Sequence, residues 1–364
     1  MILKNCDFKT FFNRVHAHSL YCYGIGSFFE KTILNFAEFP WGEKLGGLID
    51  NNVYKQGKEK QVFGAGVEIF SLEKFLKLRK EDSVILITCV SYYEIVEQLN
   101  QIKELEQTEC YIYFFMCNLS MGEPVSFLKE EPFKIPPVIH YCWFGNNPLP
   151  DLYKRCIESW HKYCPDYEII EWNEKNCDMK DNLYSKQAYE VGKYGFVPDY
   201  FRLKIIYENG GIYLDTDVEL IKNLDDLRHE EAFCGLQYPG QVALGLGFGA
   251  MSGNQMVREL MRTYESIAFI KEDGSMNETA SPFYQTNDLI RSGMKYGNKQ
   301  QYVEGMCIYP TEVLSPINIY VNTYEITGNT YAIHHFDGSW VSRAGKEKKS
   351  RELQQAQKLA EMFC

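Results

Sequence analysis

The sequence predicts an α/β protein of two domains, and three observations carry that reading. Strand-like and helix-like segments alternate through roughly the first 130 residues, as α/β units do. A charged, proline-rich stretch, Glu130-Glu131-Pro132-Phe133-Lys134-Ile135-Pro136-Pro137, then breaks the pattern as linkers do. Beyond it a helix, a double glycine and an acidic strand follow one another over residues 198–218. The boundary falls near residue 132. It gives a small Rossmann-like α/β domain over 1–132, of unknown role, and a second domain over 133–364. At 364 residues the chain is longer than one hydrophobic core usually serves.

Within the first domain, Leu20–Tyr23 reads as a strand running into Gly24-Ile25-Gly26, followed by a helix from Ser27 to about Ala37. Leu48-Ile49-Asp50 reads as a strand end and Val62-Phe63-Gly64 as a strand candidate. Ser83–Cys89 is a continuous apolar run of the kind found in parallel sheets. Ser91–Glu106 has helical spacing at Ile95, Val96, Leu99 and Ile102, and Tyr111–Met116 is a further strand candidate. The polar tail after about Gly345 reads as a charged terminal helix.

Composition narrows the function. Apolar residues make up 45% and aromatic residues 15%, which predicts a packed globular chain. A net charge of -11 argues against nucleic acid and against anionic membranes as general partners. The 12 cysteines are scattered with no CxxC pair, as expected of reduced thiols in a cytosolic protein. No signal peptide is read at Met1–Asp7, and no apolar run approaches the roughly 20 residues that span a bilayer. The expected location is the cytoplasm, with at most peripheral contact at the inner face of a membrane.

Two glycine-and-acid segments invite chemistry. Gly24-Ile25-Gly26 follows a strand, and Asp50 lies where a ribose-binding acid would, but Phe29 replaces the third glycine of a dinucleotide fingerprint. A structural turn and a nucleotide site both stay open there. The second segment begins with Pro198, which suits a helix start, and Asp199, which suits the positive end of the helix dipole. Asn209-Gly210-Gly211 supplies the stop, and Ile212–Val218 reads as a strand. Alternation along that strand would set Tyr213, Asp215 and Asp217 on one face. Two carboxylates about 7 Å apart repel unless a divalent cation lies between them, and hard oxygen ligands suit Mn²⁺ or Mg²⁺. Asp199 and Arg202, three apart, share a helix face, either as a surface ion pair or as a polar pair offered to a ligand.

The segment Asp199–Val218 resembles the DXD sugar-binding segment of bacterial glycosyltransferase family 32. That family is related to the initiating mannosyltransferases of yeast and to the catalytic domains of clostridial glucosylating toxins. Two more blocks agree in order. Ile135–Gly145 is similar to the family's first strand, with Ser159–Trp172 after it as in the family. His334-His335-Phe336-Asp337-Gly338-Ser339-Trp340 is similar to the family's closing motif. The resemblance covers residues 134–342 and leaves the first domain outside.

The resemblance implies a GT-A fold, a Rossmann-like mixed sheet, and a metal-dependent hexosyltransferase of the EC 2.4 class. It implies retaining transfer of a hexose, from UDP-hexose, to a glycan or lipid-linked glycan acceptor, in synthesis of bacterial surface polysaccharide such as capsule or lipopolysaccharide. By the same resemblance Trp143 stacks on the donor base, Asp199 and Arg202 bind the hexose, and Tyr213 contacts the donor. Asp215 and Asp217 form the metal pair, and Ser339 and Trp340 close on the diphosphate. Where the toxins place a carboxylate as third ligand, this chain has His334 and His335. His334 is the expected ligand, with His335 left as the alternative. His140, one strand back, reads as a core histidine. The glycines of Leu244–Ala250 offer close approach to an acceptor or form a plain loop. Two rival functions stand beside this one: a nucleotide-sugar oxidoreductase or epimerase built on the N-terminal glycine loop, and a non-catalytic glycan-binding protein.

Overall fold

The computed structural model describes residues 1–119, 124–129, 131–338, 341 and 343–363. Among these, two sheets organise the chain. The first contains β1 (Ile2–Lys4), β2 (Ser19–Tyr23), β3 (Leu45–Ile49), β4 (Glu59–Val62), β5 (Ala65–Phe70), β6 (Ser83–Ile87) and β7 (Glu109–Ile112). Their order is β1-β7-β6-β2-β3-β5-β4, with every pair parallel except the β4–β5 hairpin. This is a doubly wound sheet. Every residue of β6 is buried, as a central parallel strand requires when helices cover both faces.

The second sheet draws on β8 (Val138–Cys142), β9 (Glu168–Trp172), β10 (Gly211–Tyr213), β12 (Ala232–Gln237), β13 (Gln241–Val242), β14 (Phe248–Ala250), β15 (Gln301–Val303) and β16 (Met306–Tyr309). β11 (Val218–Leu220) lies outside it, as do the paired β17 (Ile317–Asn318) and β18 (Thr323–Tyr324) and the last strand, β19 (Ala332–His334). Strand order is β15-β16-β12-β14-β10-β8-β9, with β13 beside β12. β8, β9 and β10 run parallel, and β14 is antiparallel to both its neighbours. This mixed Rossmann-like sheet is the GT-A arrangement expected. Alternation along the strands feeds two cores: Ile139, Tyr141 and Ile212 enter one, and Cys142 and Tyr213 the other. The helix Pro198–Asn209 buries residues around most of its girth, has proline in its first turn and stops at Gly210 (φ 68°).

Four elements differ from the sequence reading. In the strand candidate Val62-Phe63-Gly64, Val62 closes β4 and Phe63-Gly64 form the turn of the β4–β5 hairpin. Tyr111–Met116 is not a strand: β7 ends at Ile112 and Tyr113–Leu119 is a buried helix. A short apolar run with no polar punctuation looks the same in either state. Ile212–Val218 is not one strand. β10 ends at Tyr213, and Val218 N–H donates to the Asp215 carbonyl (3.0 Å), closing a turn before β11 begins. Asp215 and Asp217 therefore sit in a turn, and strand alternation does not place them. The terminal helix Arg343–Ala360, which the sequence groups with the second domain, sends Ala356 and Leu359 into the core of the first.

Further contacts join the two parts. Asn318 Nδ2 donates to the Phe114 carbonyl (3.0 Å), and the Tyr92 hydroxyl donates to the Tyr320 carbonyl (2.6 Å). The Tyr320 ring packs on Phe114 (4.7 Å between centres) and Phe28 (5.3 Å).

Candidate functional site

The site is assembled where β8 and β10 end. Leu214 N–H donates to the His140 carbonyl (3.0 Å) and extends the ladder one residue beyond β10. The chain then turns, and Asp215 N–H donates to the Gly245 carbonyl (3.1 Å). β11 pairs antiparallel with β19, which sets Val218 opposite His334 and so brings the closing motif onto the acidic turn. His334 Nε2 lies 3.1 Å from Asp217 Oδ1, and Asp337 N–H donates to Asp217 Oδ2 (3.0 Å). Donor atoms of Asp215, Asp217 and His334 all lie within 4.8 Å of one another. His335 turns away, its Nε2 2.9 Å from Glu219 Oε2, so the geometry separates the two histidines.

Beside this cluster lies a buried ion pair. Arg202 Nη2 is 3.1 Å from Asp199 Oδ1 and 3.6 Å from Asp215 Oδ1, and its guanidinium lies 5.2 Å over the Tyr213 ring. The Tyr184 hydroxyl reaches Asp199 Oδ2 at 3.4 Å. Burial pushes the Asp199 carboxyl up to about 7, with Arg202 pulling against it. Burial also opposes charge on Asp217, but His334 and the Asp337 N–H outweigh it and bring that carboxyl to about 2. For His334 burial again opposes charge, and the neighbouring Asp217 wins, so the imidazole stays above its usual range.

Trp143, at the end of β8, donates its indole N–H to the Asn147 carbonyl (2.6 Å) and packs edge-on against Tyr153 (5.6 Å). Trp143, Asp199, Arg202, Tyr213, Asp215, Asp217 and His334 line one cavity of about 900 Å³. Ser339 and Trp340 lie outside the described residues; Gly338 and Val341 on either side of them line the same cavity. His140 is fully satisfied in the core: its Nε2 bonds the Gly210 carbonyl (3.0 Å) and its Nδ1 accepts from the Trp172 indole (3.0 Å). Burial lowers its pKa to about 4.

The sequence reading missed several contributors. Gly245 packs so closely on the acids that a Cβ there would lie 2.1 Å from Asp215 Oδ2 and 3.2 Å from Arg202 Nη1. Its glycine run was legible, but its target was not. Asp337 lay within the closing motif but was given no role there, and Tyr184 and the lysines of the terminal helix gave no local signal for the site.

The N-terminal glycine loop is a packed turn. A Cβ on Gly24 (φ 92°) would lie 2.4 Å from Cys89 Sγ. The Asp50 carboxylate already accepts from Ile25 N–H (2.9 Å), Asn52 N–H (2.9 Å) and Lys55 Nζ (2.9 Å). These bonds occupy the acid that would have held a ribose, and the oxidoreductase reading is not favoured.

The two carboxylates and one imidazole fit a divalent ion. They offer hard oxygens and a borderline nitrogen in one cluster, and His334 Nδ1 is buried with no hydrogen-bond partner among the described residues. Among the described residues no helix is long and apolar enough to cross a membrane.

The chain is similar to known proteins over part of its length. Residues 150–234 match the family described as "Glycosyltransferase sugar-binding region containing DXD motif". Inositol phosphoceramide mannosyltransferase 3 of Schizosaccharomyces pombe is 28% identical over 141 residues, covering 37% of this chain and 38% of that one. The initiation-specific alpha-1,6-mannosyltransferase of Candida albicans is 28% identical over 108 residues, covering 27% and 28%. The chain thus spans less than two-fifths of the length of these relatives. The solved PaToxG glycosyltransferase aligns with a TM-score of 0.36 at 17% identity, over 45% of this chain and 71% of that one. A likeness that slight adds nothing to the sheet order. Asp215 and Asp217 both lie within the stretch that matches the DXD sugar-binding region, so the acidic turn and the sequence similarity fall on the same residues.

Proposed function

We propose that the protein is a retaining hexosyltransferase that moves a hexose from a nucleotide-sugar donor, UDP-hexose first among them, to a glycan or lipid-linked glycan acceptor. The observation that carries this reading is the convergence of Asp215, Asp217 and His334 with the Asp199–Arg202 pair and Trp143 on one cavity. A cavity of about 900 Å³ is of the size that takes a nucleotide sugar.

Asp215, Asp217 and His334 would hold Mn²⁺ or Mg²⁺, and a divalent ion there supplies positive charge against the departing diphosphate. Trp143 offers a flat indole face to the donor base. Asp199 and Arg202, locked by burial, present an acceptor and donors to the hexose hydroxyls. Tyr213, packed beneath Arg202, orients that pair. Ser339 and Trp340 retain their proposed place against the diphosphate. The bond from the anomeric carbon to the diphosphate breaks, and its electron pair stays on the phosphate oxygen. The acceptor hydroxyl bonds to the anomeric carbon from the same face, and its proton passes to that oxygen, so no protein base is required. The setting proposed is the cytoplasm, at the inner face of a bacterial membrane where surface polysaccharide is made.

The test is a thermal-shift screen of UDP- and GDP-hexoses with and without Mn²⁺, followed by turnover of the best donor. A ligand at a hundred times its Kd stabilises the native state by about 2.7 kcal/mol. The expected result is a Mn²⁺-dependent rise with one donor class and loss of turnover in Asp217→Ala of at least about a hundredfold. Full turnover in that variant would remove the acids from the mechanism.

A further inference from the structure

The terminal helix Arg343–Ala360 contributes Lys346, Lys348 and Lys349 to the same cavity. Two of them are answered by carboxylates: Lys346 Nζ lies 3.3 Å from Asp337 Oδ2 and Lys348 Nζ 3.7 Å from Glu352 Oε1. The other cations lining the cavity are also paired, Lys193 with Glu278 and Arg202 with Asp199 and Asp215. Lys349 differs. It is half-buried, its Nζ donates to the Phe336 carbonyl (3.4 Å), and among the described residues no carboxylate stands within ion-pair distance of it.

Its position follows from the fold. Phe336 adopts φ 51°, and its ring packs edge-on against the His334 imidazole (4.2 Å between centres). Lys349 Nζ lies 5.9 Å from the centre of the same ring, one side chain removed from the acid cluster. Burial lowers its pKa, against the pull of Asp217 and Asp337. A half-buried ammonium answered only by a carbonyl is costly until an anion arrives. The anion that the proposed function brings to this cluster is a diphosphate.

We propose that Lys349 binds the diphosphate of the donor, and that the first domain serves the reaction by holding the helix that carries it. The helix is anchored at its far end, where Ala356 and Leu359 enter the first domain's core. When the bond between sugar and diphosphate breaks, the electron pair left on the phosphate oxygen faces this ammonium. The inference rests on the nucleotide-sugar reading above.

The test is calorimetric titration of the full chain, with Mn²⁺, by UDP and UMP, or by GDP and GMP if those bind tighter. The variants are Lys349→Met, Lys349→Arg and Lys358→Met, the last an exposed lysine of the same helix that does not line the cavity. Loss of a charge-assisted contact predicts about tenfold weaker diphosphate binding in Lys349→Met. Monophosphate binding should change less than about threefold, Lys349→Arg should regain most of the loss, and Lys358→Met should match wild type. The Tm of unliganded Lys349→Met should not fall, because the variant removes a half-buried charge, so weaker binding would not reflect weaker folding. Unchanged diphosphate binding in Lys349→Met, or an equal fall for mono- and diphosphate, overturns the inference while leaving the function standing. Wild-type protein that binds neither diphosphate overturns the function and the inference together.

Discussion

Two regions of this molecule set glycine and aspartate together, and they have opposite fates. In the first domain, Gly24 at the end of β2 packs on Cys89, and Asp50 at the end of the neighbouring β3 accepts three hydrogen bonds from its own domain. At the end of β10, Gly245 makes room for Asp215, and Asp215 and Asp217 face a cavity beside a single imidazole. The same residue types knit a domain together in one place and line a cavity in the other. The two differ in whether the acids open onto a cavity: Asp215 and Asp217 line it and Asp50 does not.

Glycine replacement in the two regions should break this comparison most sharply if it is wrong. Gly245→Ala would drive a methyl into the Asp215 carboxylate and shift the cluster by about 1 Å. It should cost about a hundredfold in transfer rate with little change in Tm. Gly24→Ala meets a left-handed φ and the Cys89 thiol, so it should cost about 1–3 kcal/mol of stability and leave kcat/KM of the folded protein unchanged. Turnover measured beside urea unfolding checks both, and the reverse pattern would refute the contrast.

A smaller effect tests how the second glycine stop is tied down. His140 holds the Gly210 carbonyl and stays neutral in the fold until about pH 4. In the unfolded chain it takes a proton near its ordinary value of about 6.5. Its contribution is therefore complete above that value and shrinks as pH falls toward 4. Between about pH 7.5 and about pH 5 the loss should be about 2 kcal/mol. Urea midpoints of wild type and His140→Gln at the two pH values measure it: the variant should lose that much of the pH slope. An identical slope would mean that His140 titrates normally.

Much of the second domain was legible because its signals are local. Pro198, Asp199 and Gly210 mark the ends of one helix. The strand reading of Ile212–Val218 failed because alternating apolar and acidic residues fit a strand as well as a turn. Only the bond from Val218 to the Asp215 carbonyl, itself fixed by β11 pairing with β19, selects the turn. Gly245, Tyr184 and Lys349 reach the site from segments distant in sequence, and no period or motif near them reports a contact made by tertiary packing. The docking of Ala356 and Leu359 on the first domain is of the same kind.

The central claim is that the acids after β10, and not the acid after β3, hold a divalent ion. Mn²⁺ titration followed by electron paramagnetic resonance tests it on wild type, Asp217→Asn and Asp50→Asn. The account predicts one bound ion per chain in wild type, tightened by the nucleoside diphosphate, retained in Asp50→Asn and lost in Asp217→Asn. Absence of bound Mn²⁺ in wild type, or undiminished binding in folded Asp217→Asn, would contradict it.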